Sequence, residues 1–144
     1  MPDQIPGPLF VELEFAVRTY DIDFAGHVSN ISYIRWLEDL RNAVLEEYYP
    51  IGPAMESGII PTLTRTDITY RAPVLFSDAV VGRMWAGKAS AVRIDLHATF
   101  TAGDRLCARA VQQGAFASIE TGRPVRIPPE VLTVYRAQQM MLGG

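Results

Sequence analysis

One amphipathic stripe constrains this chain more than any other feature. Tyr33, Leu37, Leu40, Val44 and Tyr48 recur at steps of three and four, the spacing of one face of a helix. The stripe predicts a helix over 30–48, which Tyr49-Pro50-Ile51-Gly52-Pro53 stops, because proline has no N–H to give and glycine frees the backbone. On its outer side Arg35 and Asp39 stand at i,i+4 and are expected to pair. Tyr33 and Trp36 are expected to face inward, as core aromatics or as walls of a pocket. No second helix of this length is legible, so the rest of the core has to come from strands.

The strands follow. Phe10 to Tyr20 alternates in part, as a half-buried strand does. Ile59 to Arg71 carries β-branched or aromatic residues at Thr62, Thr64, Thr66, Ile68 and Tyr70, and Pro73 ends it. Residues 54–58 carry no decisive signal. Ala79 to Ala86 is the next strand, with Gly87-Lys88 as its turn. The cleanest alternation runs over 91–101, with Val92, Ile94, Leu96, Ala98 and Phe100 on one face and Arg93, Asp95, His97, Thr99 and Thr101 on the other. Ala102-Gly103-Asp104 turns the chain into a strand over 105–119. Pro128 opens a last helix over 129–141. Turns this short join antiparallel neighbours, so one helix followed by a run of such strands predicts an α+β layer fold. Residues 1–9, rich in proline, read as an extended tail, and 10–144 as a single domain.

Composition narrows the function. Apolar residues make up 49% of the 144, too many for a disordered chain. The formal charge of −3 argues against a general nucleic-acid binder. No apolar run approaches the ~18 residues of a membrane helix, and residues 1–8 lack the basic and apolar regions of a signal peptide. A single cysteine, Cys107, rules out an internal disulfide. It lies in a strand, away from any histidine or helix start, and reads as a buried structural thiol in a cytoplasmic protein.

The chemistry concentrates between the first strand and the long helix, in Thr19-Tyr20-Asp21-Ile22-Asp23-Phe24-Ala25-Gly26-His27-Val28-Ser29-Asn30. Ser29 or Asn30 can cap the helix. Its first turn then presents unpaired N–H groups at the positive end of the macrodipole, which suits a polarised carbonyl or an oxyanion. An ionised aspartate beside it can attack that carbonyl or activate a water. Asp21 and Asp23 can equally be loop acids that cap turns. His27 can assist a proton transfer or brace the loop. His97, on a polar strand face, reads as an exposed or interface residue. Neither histidine has a second ligand at metal-site spacing, so no metal is expected. Neither a Gly-x-Ser-x-Gly elbow nor a phosphate-binding glycine loop occurs.

The segment resembles the signature of the hotdog-fold acyl-CoA thioesterases, the group that includes the 4-hydroxybenzoyl-CoA thioesterases. Asp21, Asp23, Gly26, His27, Val28, Asn30 and Tyr33 fall on the family's Asp-x-Asp-x-x-Gly-His-Val-x-Asn-x-x-Tyr pattern. Tyr70-Arg71-Ala72-Pro73 and Asp78 resemble its Tyr-x-x-Pro strand and the acid after it. Order and separation agree over roughly residues 10–130. The resemblance implies a curved antiparallel sheet wrapped around the long helix. It implies hydrolysis of an acyl-CoA, with coenzyme A as part of the substrate and no cofactor. Asp23, the second acid, would be general base or nucleophile, and the Asn30 amide would polarise the thioester. Gly26 lets the loop approach the ligand, and Tyr33 adjoins the acyl group. Lys88 and Ser90 occupy the turn where the family often places basic contacts to coenzyme A, and Arg123 lies in a later loop; each can equally belong to an ordinary solvated turn. Proteins of this fold pair their sheets, so a homodimer or homotetramer with shared sites is implied. Two other readings stay open on the same fold. One is an enoyl-CoA hydratase, whose Asp-x-Asn-Pro-x-x-His pattern is not matched here. The other is a non-catalytic acyl-CoA-binding protein.

Overall fold

The computed structural model describes residues 5–143. Its strands are β1 (Val11–Ala16), β2 (Ile59–Tyr70), β3 (Ala79–Ala89), β4 (Arg93–Ala102), β5 (Arg105–Ser118) and β6 (Pro124–Val125). Its helices are α1 (Asn30–Tyr48), α2 (Ile51–Ser57) and α3 (Pro129–Gly143). The strands form one antiparallel sheet in the order β1-β3-β4-β5-β2. β6 pairs with β5 at Phe116 and Ala117, just past the point where β4 begins at Arg93↔Ala115. The α+β hotdog architecture expected from the sequence is the one observed.

This order dictates where α1 lies. The chain leaves the sheet at one edge, β1, and re-enters at the other, β2. The segment between them therefore crosses a face of the sheet, and α1 is the element that does so. Its buried residues are Ser32, Tyr33, Trp36, Leu37, Leu40 and Val44, which is the predicted stripe with Tyr48 only half-buried. They meet Val80, Met84, Ile94, Leu96, Ala98 and Phe100, the inward positions of β3 and β4. Leu37 and Leu40 are wholly enclosed, and each contributes roughly 1.5–3 kcal/mol by leaving water. Val92, read as a member of this face, precedes β4 and is exposed. Among the described residues no helix is long and apolar enough to cross a membrane.

Several details depart from expectation. β3 does not turn at Gly87-Lys88 but runs on to Ala89. Gly87 marks a close approach: a Cβ there would collide with the His97 ring, and the Gly87 carbonyl accepts from Tyr135 Oη at 2.6 Å. His97 is half-buried and stacks on Trp85, centroids 5.9 Å apart. Ile51 to Pro53, read as part of the stop, and the undecided residues after them form α2, which tolerates Pro53 in its first turn, where no N–H is needed, and ends at Gly58 with φ +76°. The ion pair on α1 joins Arg41 and Glu38 at 3.6 Å, not Arg35 and Asp39. Arg41 lies half-buried and also reaches the enclosed Gln112, which fixes its direction. Residues 7–9 are anchored. The Pro8 carbonyl accepts from the Ala86 amide at 2.7 Å, the Leu9 amide donates to Gln138 at 2.7 Å, and the Leu9 side chain is buried.

Candidate functional site

The loop between β1 and α1 has a sealed base and an open tip. Asp21 closes the base and is 4% exposed. Its carboxylate accepts from the Arg18 amide at 2.8 Å and from Ser32 Oγ at 2.7 Å, and its carbonyl accepts from the Ser29 amide at 2.7 Å. Strand end and helix start are tied together through this one residue. Ser29 is the cap of α1: its Oγ accepts from the Ser32 amide at 3.4 Å. Asn30 is then the first helical residue, and among the described residues the Asn30 and Ile31 amides donate to no protein acceptor. That is what the start of a helix leaves behind once its cap is made.

The tip is a tight turn built on Asp23. The Asp23 amide donates to the His27 carbonyl at 2.8 Å, and the Gly26 amide to the Asp23 carbonyl at 3.0 Å. Asp23 Oδ1 accepts from the Ala25 and His27 amides at 2.9 and 3.2 Å, while Oδ2 takes no donor among the described residues. Asp23 is exposed. It is thus held by one carboxylate oxygen and presents the other. Gly26 has φ +80° with open space around it, so its role is to let the turn close. His27 braces the loop with its backbone, which bridges to Leu75, while its exposed side chain makes no hydrogen bond among the described residues.

The opposite wall comes from the segment after β2. The Val28 amide donates to the Val74 carbonyl at 2.9 Å, stitching loop to segment. The Arg71 and Ala72 amides both donate to the Cys107 carbonyl, at 2.8 and 3.1 Å. Asp78 Oδ2 accepts from the Leu75 amide at 2.9 Å and from Arg105 at 2.6 Å, which fastens the turn to β5. Cys107 is fully buried, as expected of a structural thiol.

Between the two walls lies a cavity of about 340 Å³. Asp23, His27, Asn30 and Tyr33 line one side, and Tyr70, Arg71 and Pro73 the other. Four of the site residues named from the sequence therefore share one space. Gly26 shapes the turn without lining it. Lys88 and Ser90 stand apart, at the far end of β3, where Ser90 Oγ accepts from the Val92 and Arg93 amides at 3.2 and 3.0 Å and so closes the turn. Trp36 is core and not wall, stacked on Phe15 with centroids 5.1 Å apart. Tyr70 and Arg71 join the site beyond the residues expected from the sequence, although the Tyr-x-x-Pro match covers them. Burial pushes the Tyr33 phenol far above its ordinary value, with Cys107 and Tyr70 adding to the shift and Arg105 opposing it. Among the described residues no three His, Cys, Asp or Glu side chains cluster as metal ligands.

This arrangement can hold a carbonyl group against helix-start amides and bring a carboxylate oxygen to it. Comparison with solved structures agrees on the fold. The chain is similar to a gentisyl-coenzyme A thioesterase, at 23% identity and a TM-score of 0.76, over 85% of this chain and 99% of that one. A DHNA-CoA thioesterase from Staphylococcus aureus superposes at 0.83 with 18% identity, over 93% of each chain. A 1,4-dihydroxy-2-naphthoyl-CoA thioesterase from Synechocystis superposes at 0.78 with 18% identity, over 88% and 96%. The model of the thioesterase-like superfamily matches residues 17–134, which takes in the loop, α1, strands β2 to β6 and the segment around Pro73. The chain belongs to the thioesterase-like superfamily.

Proposed function

We propose that the protein hydrolyses acyl-CoA thioesters in the cavity beside Asp23. One observation supports this most: a carboxylate with an uncommitted oxygen and a helix-start amide with no acceptor line the same space. In this reading the thioester carbonyl accepts from the Asn30 amide, which gains strength as negative charge develops on oxygen. Asp23 Oδ2 takes a proton from water, and the oxygen of that water adds to the carbonyl carbon. The tetrahedral intermediate collapses, the C–S bond breaks, and the thiolate recovers a proton. Acyl-CoA and water become a carboxylic acid and coenzyme A. If Asp23 attacks directly, a mixed anhydride forms with loss of thiolate, and water then opens it to the same products. In this reading the His27 side chain, which lines the cavity and makes no hydrogen bond among the described residues, contacts the water or the leaving group.

We also propose that the working unit is a homodimer or homotetramer. β2 is an edge strand twelve residues long, with Leu63 and Tyr70 exposed along it, and such an edge invites a second copy. Lys88 lies roughly 30 Å along β3 from the cavity end of the sheet. In this reading its contact to coenzyme A, with those of Ser90 and Arg123, reaches the cavity from a second subunit. A panel of short, medium and aromatic acyl-CoA thioesters, assayed with a thiol-detecting reagent, tests the activity. Free thiol from at least one of them is expected. Tight binding without turnover across the panel would instead favour an acyl-CoA-binding protein, and hydration of crotonyl-CoA without thiol release a hydratase. Light scattering tests the assembly, and a stable species at the 16.0 kDa of one chain would rule it out.

A further inference from the structure

We infer that the Tyr33 hydroxyl reads an oxygen on the acyl group, so that the cavity favours acyl chains bearing a hydroxyl or carbonyl oxygen over the same chains without it. This rests on the thioesterase reading above and names what that site selects.

Three buried tyrosines make the case by contrast. Tyr33, Tyr49 and Tyr135 are 3%, 6% and 5% exposed. Tyr49 donates its hydroxyl to the Ile59 carbonyl at 2.8 Å, and Tyr135 to the Gly87 carbonyl at 2.6 Å. Buried phenols ordinarily find such a partner. The Tyr33 hydroxyl has none among the described residues, yet it is not among the sealed, unpartnered polar atoms, of which there are none. Its oxygen therefore opens on the space its side chain lines, the cavity with Asp23 and Asn30.

The ring is held so that the hydroxyl has little choice of direction. It meets Tyr70, Trp36 and Phe100 edge-on, with centroids 5.3, 5.4 and 5.3 Å apart. A phenylalanine would serve this packing equally well, and only the hydroxyl distinguishes the two. Burial keeps that hydroxyl protonated, so it offers a proton and not a negative charge. Tyr33 also stands one turn after Asn30 and so on the same helix face. A substrate whose carbonyl sits at the Asn30 amide thereby places its acyl portion toward Tyr33. A site donor left unpaired by a substrate lacking the matching oxygen discriminates against that substrate.

The test compares matched thioesters, benzoyl- with hydroxybenzoyl-CoA isomers and butyryl- with 3-hydroxybutyryl-CoA, on the wild type, Tyr33→Phe and Tyr70→Phe. In at least one pair the wild type is expected to favour the oxygenated member in kcat/KM. Tyr33→Phe should lower that preference by roughly tenfold, the worth of one neutral hydrogen bond, and Tyr70→Phe should leave the preference in place. Thermal unfolding of Tyr33→Phe should match the wild type, because no hydrogen bond within the protein is lost. The same pairs as uncleavable thioether analogues, titrated by calorimetry, separate this inference from the reaction itself. Absence of turnover would then count against hydrolysis alone, while the tenfold affinity difference and its loss in Tyr33→Phe would still be expected. No preference in any pair, or a preference that survives Tyr33→Phe or vanishes in Tyr70→Phe, would overturn it.

Discussion

The base and the tip of the β1–α1 loop are made from the same residue type and do opposite things. At the base, both Asp21 carboxylate oxygens accept hydrogen bonds and the side chain is out of solvent. At the tip, Asp23 is exposed and commits one oxygen to its own turn. A buried acid with both oxygens engaged holds structure well and is a poor base. An acid anchored through one oxygen keeps a fixed direction and a reactive partner atom. Sequence spacing leaves the two equivalent, and their surroundings separate them.

Asp23→Asn sharpens the comparison most. The amide keeps the size and retains an acceptor for the turn, but it can neither take a proton nor attack. Turnover is expected to fall by roughly 10²–10⁴-fold, the usual worth of such a group. Binding of an uncleavable analogue and the unfolding temperature should change little. Near-normal turnover in this variant would mean that the wrong carboxylate had been chosen.

Asp21→Ala tests the other half. It strips acceptors from the Arg18 amide and the enclosed Ser32 hydroxyl. Unsatisfied buried groups cost about 1–3 kcal/mol each, so denaturant unfolding should show a loss of that order or somewhat more. Turnover per folded molecule should stay within about tenfold of wild type, far above Asp23→Asn. A variant as stable as wild type but inactive would reverse the roles of base and tip.

These two regions also show what the sequence could reveal. Asp23, His27, Asn30 and Tyr33 lie within one loop and the first turn of one helix, so local spacing was enough to group them. Tyr70, Arg71 and Pro73 reach the cavity only because the Val28 amide finds the Val74 carbonyl and His27 bridges to Leu75. Pairings between residues that far apart in the chain leave no periodic trace. Gly87 shows the same limit from another side. Beside Lys88 it reads as a turn, and only the His97 ring lying across it explains why the strand continues. The order of the elements was legible because turns such as Ala102-Gly103-Asp104 are too short for anything but antiparallel neighbours. The direction of Arg41 was not, since the enclosed Gln112 that draws it sits on β5.

His27→Ala probes the tip without touching its turn. The His27 amide and carbonyl hold Asp23, and both survive the change. Stability should stay within about 0.5 kcal/mol, as for a surface side chain without partners. Turnover is expected to fall by about tenfold or less if the imidazole only contacts water or leaving group. A loss as deep as that of Asp23→Asn would make the imidazole itself a proton-transfer group, to be checked by the pH dependence of kcat/KM.

Ser29→Ala is the smallest change expected, and it falls at the junction of the two regions. Ser29 caps α1 through a long 3.4 Å contact from the Ser32 amide, and its Oγ lies 3.4 Å from Ser32 Oγ. Cap removal costs roughly 0.5–2 kcal/mol in general. A contact of this length places Ser29 near the lower bound, since hydrogen bonds weaken toward 3.5 Å. The Ser29 amide still donates to the Asp21 carbonyl, so the base of the loop stays closed. The Asn30 and Ile31 amides keep their places at the start of the helix. Denaturant unfolding should therefore report a loss near 0.5 kcal/mol, with kcat within about threefold of wild type. A collapse of kcat at that small stability cost would show that the cap hydroxyl, and not only the helix-start amides, contacts the reacting carbonyl.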